Sequence, residues 1–219
     1  MLKMRNLVFA LGVLVAPLPA AADVSVGIGI GLPHVSIGIN VPAYPRLVRV
    51  PGYPVYYAPH LDVNLFFYDG LYWLFYNDNW YASTWYNGPW AFVSPYDVPV
   101  FILRVPVRYY RHPPPYFRHW RRDEPPRWHE NWGREWERRR GDWYRRDERA
   151  KPPPAPLPSY QREYARERYP REVEQQRRLL QERYRYQPRD PAVQRHFQEM
   201  DRERDRDRDR NREREQRNR

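Results

Sequence analysis

The chain contains no cysteine. Disulfides, thiolate metal sites and a lipid-modified N-terminal cysteine are therefore all excluded. Glycine is scarce, with 10 residues against 25 prolines, and methionine occurs three times. The glycines form no phosphate-cradling loop, no serine sits in a GxSxG elbow, and no histidine pair has HExxH spacing. Past the N-terminus no apolar run approaches the ~20 residues of a membrane-spanning helix, and the mean hydropathy is −0.99.

The residues that remain make poor catalysts. His34, His60, His112, His119, His129 and His196 share no ligand spacing with each other or with a carboxylate pair, so no metal or cofactor is expected. Among the acids of the N-terminal half, Asp69 and Asp78 belong to turn signals and Asp97 to a helix-cap signal. Asp62 is left without a partner for acid–base work. The expectation is a protein that is not an enzyme and has no catalytic residue.

What the chain does have begins with an export signal. Lys3 and Arg5 precede an apolar stretch from Leu7 to Val15, and Ala20-Ala21-Ala22 offers a cleavage site that would leave Asp23 first. This points to the bacterial periplasm or envelope. The charge is split along the chain. Through Leu103 there are four basic and five acidic residues; from Arg104 onward there are 34 and 22. The expected organisation is a signal peptide (1–22), an aromatic β module (23–110), a Pro/Arg/Trp-rich segment with linker (111–158) and a charged helical or disordered tail (159–219).

The fold class expected is mainly β. Twelve aromatic residues lie between Phe66 and Trp90, threaded through Asp69-Gly70, Asp78-Asn79 and Asn87-Gly88, turn signals nine residues apart. That pattern predicts a small antiparallel meander with strands near 63–68, 71–76, 80–86 and 90–93. Val24–Ile30 and Val35–Val41 repeat one alternating pattern and predict an N-terminal hairpin that docks on the module or offers its edge to a partner. The prolines of 42–60 restrict Arg46–Val50 and Val55–Tyr57 to short or edge strands. Ser94-Pro95-Tyr96-Asp97 reads as a brief helix start, and Val100–Val107 as a last strand.

Beyond His112 the expectation is a Pro/Arg-rich arm, partly helical and largely disordered. Trp128, Trp132, Trp136 and Trp143 share one helical stripe with arginines behind it. Such a helix clamps its tryptophans onto the aromatic sheet or lies in a membrane interface, and with Gly133 and Gly141 lowering helix propensity the third outcome is no stable helix. Lys151–Pro158 reads as a stiff polyproline linker. A weak helix is expected over 171–186 and another from Asp190-Pro191, carrying Val193, Phe197 and Met200. From Asp201 onward alternating Arg and acid predict solvated disorder or a single frayed helix.

Trp85-Tyr-Asn-Gly88-Pro-Trp90 has the form W-x-x-G-x-W. With the run from Phe66 through Tyr110, it resembles the WxxGxW-repeat (BcpO-related) family of small exported proteobacterial proteins. The resemblance implies a non-enzymatic envelope protein. The motif occurs here once, without a lipobox cysteine. Three readings of function stay open. In the first, the aromatic head recognises a surface while arginines such as Arg118, Arg121 and Arg122 tether it to anionic envelope polymers. In the second, Trp73, Trp80, Trp85 and Trp90, with Asn77, Asn79 and Asn87, stack on a glycan. In the third, the stripe of Trp128, Trp132 and Trp136 sits on a membrane surface. Export argues against nucleic acid as a partner, and the oligomeric state is not encoded in any visible pattern.

Overall fold

The computed structural model describes residues 34–35, 44–141, 143–144, 152–158, 161–162 and 186–217. The expected export signal, most of the expected hairpin and the helix at 171–186, except for Tyr186, lie outside these residues. The protein is mainly β around one antiparallel sheet. Its strands are β1 (His34–Val35), β2 (Val48–Arg49), β3 (Tyr56–Tyr57), β4 (Asn64–Tyr68), β5 (Leu71–Tyr76), β6 (Asn79–Ser83) and β7 (Trp90–Val93). They lie in the order β1-β7-β6-β5-β4-β3-β2. From β2 to β7 the chain meanders between neighbours, and β1 pairs with β7, His34 opposite Ala91.

Turn chemistry sets the register. Asp69 and Gly70 both take positive φ, at 49° and 92°, and place Tyr68 opposite Leu71. This is the left-handed pair that a two-residue hairpin needs. The next turn is Asn77-Asp78, with φ of 47° and 59°, one residue earlier than the sequence suggests. Both side chains tolerate the left-handed region. Asn79 is thereby freed to pair with Tyr76, and its Nδ2 donates to Asn77 O at 2.7 Å. The third signal does not make a tight hairpin. β6 stops at Ser83 rather than 86, because Ser83 Oγ accepts the Trp85 amide at 3.0 Å and bends the chain into a loop.

Both faces of the sheet are buried. Alternation sends Phe66, Tyr68, Trp73, Phe75, Trp80 and Val93 to one face, and Leu65, Phe67, Tyr72, Leu74, Tyr81 and Trp90 to the other. The first face is covered by the segment that follows. Val100–Val107, expected as a strand, instead forms α1 (Val100–Leu103) and leads into a single 3-10 turn at Val107–Tyr109. A short apolar run does not separate strand from buried helix; Pro99 and Pro106 settle it by removing the amides a central strand would need. A second 3-10 turn, Pro115–His119, brings in Phe117.

Next comes α2 (Trp128–Arg139), the expected tryptophan helix. It is not one continuous helix. Gly133 takes φ 79° and ψ 176° and breaks it in two. Trp143 lies past its end, on a turn in which its amide donates to Arg140 O. The stripe still faces inward: Trp128, Trp136 and Trp143 are buried and Trp132 is half-buried. Trp128 meets Phe75 edge-on at 5.3 Å and Trp80 at 6.0 Å, and its Nε1 donates to Leu103 O at 2.8 Å. Each such ring pair adds about 0.5–1.5 kcal/mol beyond the area it buries.

The last helix, α3 (Pro191–Arg217), starts at Asp190 as expected. Asp190 Oδ1 accepts the Ala192 amide at 2.9 Å, and Pro191 takes the first position. Val193, Phe197 and Met200 pack on the same core as Trp128. The helix continues through the alternating charges, with pairs three residues apart such as Arg208–Asp205 and Arg212–Asp209. The second face is covered by Tyr44, Leu47, Tyr86 and, from the proline-rich stretch, Ala155 and Leu157. The core thus draws on residues from Tyr44 to Met200, across the expected boundary at 110/111.

Replacing Trp128 tests this arrangement. Trp128→Ala should lower stability by about 3–5 kcal/mol, whereas Trp132→Ala should cost clearly less, because that ring is only half-buried. Chemical denaturation of both variants measures the difference; equal losses would contradict an inward-facing stripe.

Candidate functional site

Three groups of residues carry the sequence-based expectation of binding, and the structure places them very differently. In the glycan set, Trp73, Trp80 and Trp90 are buried. Trp73 Nε1 donates to Tyr68 O at 3.3 Å, and Trp80 lies among Phe66, Phe75 and Trp128. Trp85 is half-buried, edge-on to Tyr44 at 5.6 Å and tilted on Tyr86 at 4.7 Å. Asn77 and Asn87 are exposed, and Tyr76 and Trp85 near them are half-buried. A ring with no accessible face cannot stack on a sugar. Trp73, Trp80 and Trp90 are therefore core, because both faces of the sheet are covered, while Trp85 stays half-buried.

The WxxGxW motif has a structural explanation here. Gly88 takes φ 83°, and its amide donates to Trp85 O at 3.2 Å. A Cβ at Gly88 would stand 2.9 Å from Trp90 Cδ1. Only glycine permits both that backbone conformation and the close approach of the second tryptophan. The motif shapes the β6–β7 loop so that its Tyr86 packs on Tyr44 at 5.0 Å and Tyr72 at 6.4 Å, and burial pushes the Tyr86 phenol pKa up to about 12.

The second set, Trp128, Trp132 and Trp136, faces the sheet. Trp136 Nε1 donates to Pro95 O at 2.9 Å. The stripe meets its own chain rather than presenting itself to a bilayer. Among the described residues no helix is long and apolar enough to cross a membrane.

The third set is on the surface. Arg118, Arg121 and Arg122 are exposed. They belong to a layer, Arg104 to Gly141, with eleven arginines and five carboxylates. Its inner side is the aromatic cluster just described; its outer side is cationic. Arg121 pairs with Glu124 at 3.0 Å, Arg127 with Glu130 at 3.1 Å and Arg139 with Glu135 at 2.6 Å. Arg108 pairs with Asp123. The hydrogen bond from Arg127 holds the Glu130 carboxyl below its ordinary pKa. Arg140 turns inward and donates to Tyr96 O and Val98 O, as Arg104 does to Trp143 O. Exposed Arg111, Arg118, Arg122, Arg134 and Arg138 form no ion pair with any described residue. By contrast, α3 carries nine arginines and eight carboxylates and nearly neutralises itself.

Four polar anchors, missed by the sequence reading, hold this layer and the C-terminal segment to the sheet. Buried Asn64 pairs with the backbone of His112: the His112 amide donates to its Oδ1 at 2.8 Å, and its Nδ2 donates to His112 O at 2.6 Å. Gln161 does the same to Leu47, at 2.9 and 2.7 Å. Tyr116 donates to Asp78 Oδ1 at 2.7 Å, which ties the 115–119 turn to the β5–β6 hairpin. Asp69 accepts from Tyr186 Oη at 2.7 Å and from the amides of Arg189 and Asp190 at 2.8 and 2.7 Å. Tyr68 donates to Asp190 Oδ2 at 3.0 Å. The two turn acids were legible as turn residues; no pattern in the sequence showed that their oxygens also receive distant chain. Among the described residues no group of three His, Cys, Asp or Glu side chains could hold a metal.

A scan against protein-family models gives no match, and neither the curated proteins nor the solved structures yield a significant one.

Three substitutions at two positions test the Gly88 lock and the Asp69 anchor. Gly88→Ala should destabilise the fold by about 1–3 kcal/mol, since it combines a left-handed backbone with a steric overlap; an unchanged denaturation midpoint would refute the lock. For Asp69 the pH dependence carries a sign. Burial raises its pKa above the ordinary value, against the lowering effect of its hydrogen bonds. The folded state thus favours the protonated acid. Above the raised pKa the ionised group subtracts stability, and that loss is recovered as pH falls toward the ordinary carboxylate value. Asp69→Asn mimics the protonated form and tolerates the positive φ, so it should abolish this pH dependence and be at least as stable at neutral pH. Asp69→Ala should instead be destabilised, by at most about 1–3 kcal/mol for each half-buried amide left unbonded. Denaturation between neutral and mildly acidic pH distinguishes the three proteins.

Proposed function

We propose that the protein is a non-enzymatic, exported protein of the periplasm or cell envelope whose arginine-rich outer layer tethers it to anionic envelope polymers. The observation supporting this reading is the set of exposed arginines, Arg111, Arg118, Arg122, Arg134 and Arg138, without ion pairs to described residues. They rest on a buried aromatic layer that holds their backbone in place. Arginine suits such a role because its planar fork binds phosphate and carboxylate through two parallel hydrogen bonds and stays charged at any working pH. The chain uses almost no other cation: only Lys3 and Lys151 are lysine. Surface recognition is assigned to this layer rather than to the rings of the sheet, which are nearly all enclosed, Phe92 of β7 being the open one. The export signal at residues 1–22 and the resemblance carried by Trp85–Trp90 support the envelope location.

Titration of the full-length mature chain with polyphosphate, as a flexible polyanion, tests the reading. The logarithm of affinity should fall linearly with the logarithm of salt concentration. Replacing these five arginines with glutamine should flatten that slope by about 3.5, at roughly 0.7 per lost contact. Binding that ignores both salt and these substitutions would remove the tether.

A further inference from the structure

Four indoles and a phenol form a continuous ladder from the core to the surface. Trp128 and Trp132 stack at 4.5 Å with 9° between their planes. Trp132 meets Trp136 at 4.9 Å, Trp136 meets Trp143 at 5.6 Å, and Trp143 meets Tyr144 at 5.4 Å. The inner end, Trp128, is fully buried against Phe75, Trp80 and Tyr110. The outer end, Tyr144, is 66% exposed, and with Phe92 it is one of the two large apolar side chains that the described surface leaves open.

Sulfur, the usual sink for oxidants in a protein, is almost absent. There is no cysteine, and Met200 is the only methionine among the described residues. Indoles and phenols are then the most readily oxidised side chains, and here they are in ring contact with one another.

We propose that this ladder conducts oxidising equivalents out of the aromatic core and delivers them to Tyr144, which acts as the redox exit of the protein and its site of oxidative cross-linking. A one-electron oxidant takes an electron from an indole of the ladder and is itself reduced by one electron. The resulting indole radical cation is refilled from the next ring outward. The last electron comes from Tyr144, whose phenolic proton passes to water, leaving a neutral phenoxyl radical. Two such radicals on two copies of the chain couple ortho to their oxygens. One carbon–carbon bond forms, and the two ring hydrogens displaced there return to the phenol oxygens. An indole radical cation readily oxidises a phenol that can lose its proton, and an exposed phenol can. Tyr110, buried with a hydroxyl that has no hydrogen-bond partner among the described residues, cannot serve in that way.

The test uses the full-length mature chain and photogenerated tris(bipyridine)ruthenium(III) as oxidant. Transient absorption should show the indole radical decaying as the tyrosyl radical rises, at one rate independent of protein concentration. Covalent dimers linked through Tyr144 should follow. Tyr144→Phe leaves the packing intact because the ring is exposed; it should lengthen the life of the indole radical at least tenfold, abolish the dimer and shift oxidation to Trp143 and Trp136 on peptide mapping. Trp132→Phe, which replaces one rung with a ring that is hard to oxidise, should lower the yield of tyrosyl radical while the exposed phenol stays in place. The proposal fails if indole decay is the same in Tyr144→Phe, or if Tyr144 is oxidised equally well in Trp132→Phe, since oxidation would then be direct.

Discussion

The contact that governs this structure is the dry layer between the β4–β6 face and the rings that follow in sequence, Tyr110, Phe117, Trp120, Trp128, Trp136 and Trp143. A sheet this aromatic has two apolar faces, and a meander alone can hide neither. Without disulfides, the chain must close such a sheet with its own residues or bind something else to it. Here the chain closes both sides. The tryptophan segment covers one face, and Tyr44, Leu47 and the proline-rich stretch around Ala155 cover the other. Three of the indoles in the cover are satisfied: Trp128 by Leu103 O, Trp136 by Pro95 O and Trp120 by the Glu130 carboxylate. Those bonds reduce the desolvation cost of a cover rich in tryptophan, while the Trp80 indole and the Tyr110 hydroxyl stay without a partner among the described residues.

Docking a cover of irregular chain requires fixing its register, because loops offer no ladder of their own. The side-chain amides of Asn64 and Gln161 supply it by imitating one rung of β pairing toward His112 and Leu47. Asp69 and Asp78 supply it from the hairpin tips. A tip residue with positive φ has its side chain free of the ladder, so the same acid can shape the turn and receive a distant donor. The burial of Asp69 follows from this second role, and with it the raised pKa.

The strands were legible because the signals are local. Period-two alternation and Asp69-Gly70 placed β4 and β5 to within a residue, and Asp190-Pro191 located the start of α3. The misplacements also have physical causes. Asn77-Asp78 and Asp78-Asn79 are chemically near-equivalent turns, and Tyr76 pairing with Asn79 decides between them. Val100–Val107 has the composition of a strand, but its flanking prolines and the shape of the sheet made it a helix. The binding site was least legible. Trp73, Trp80 and Trp90 look the same in sequence whether they face solvent or core; only the arrival of distant chain, such as His196 on Trp73, Trp128 on Trp80, and Tyr44 and Ala155 on the face of Trp90, makes them interior.

The same burial explains where the charge must go. A segment whose aromatic residues turn inward has its remaining residues turned outward, and from Arg104 to Gly141 arginine is the commonest of those. Two of them, Arg104 and Arg140, fold back onto carbonyls and help seal the layer, while Arg139 lies 5.2 Å from the centre of the Tyr96 ring. The guanidinium group can do this without losing its charge, which an ammonium does less well in a half-dry setting. The cationic surface is therefore part of the folded body. The alternating charges of α3 cancel one another, so the helix adds length rather than net charge. An anionic partner drawn to this protein would meet the arginines over the tryptophan layer first, on a backbone already held in place by the rings beneath it, so that binding would require little further ordering of the chain.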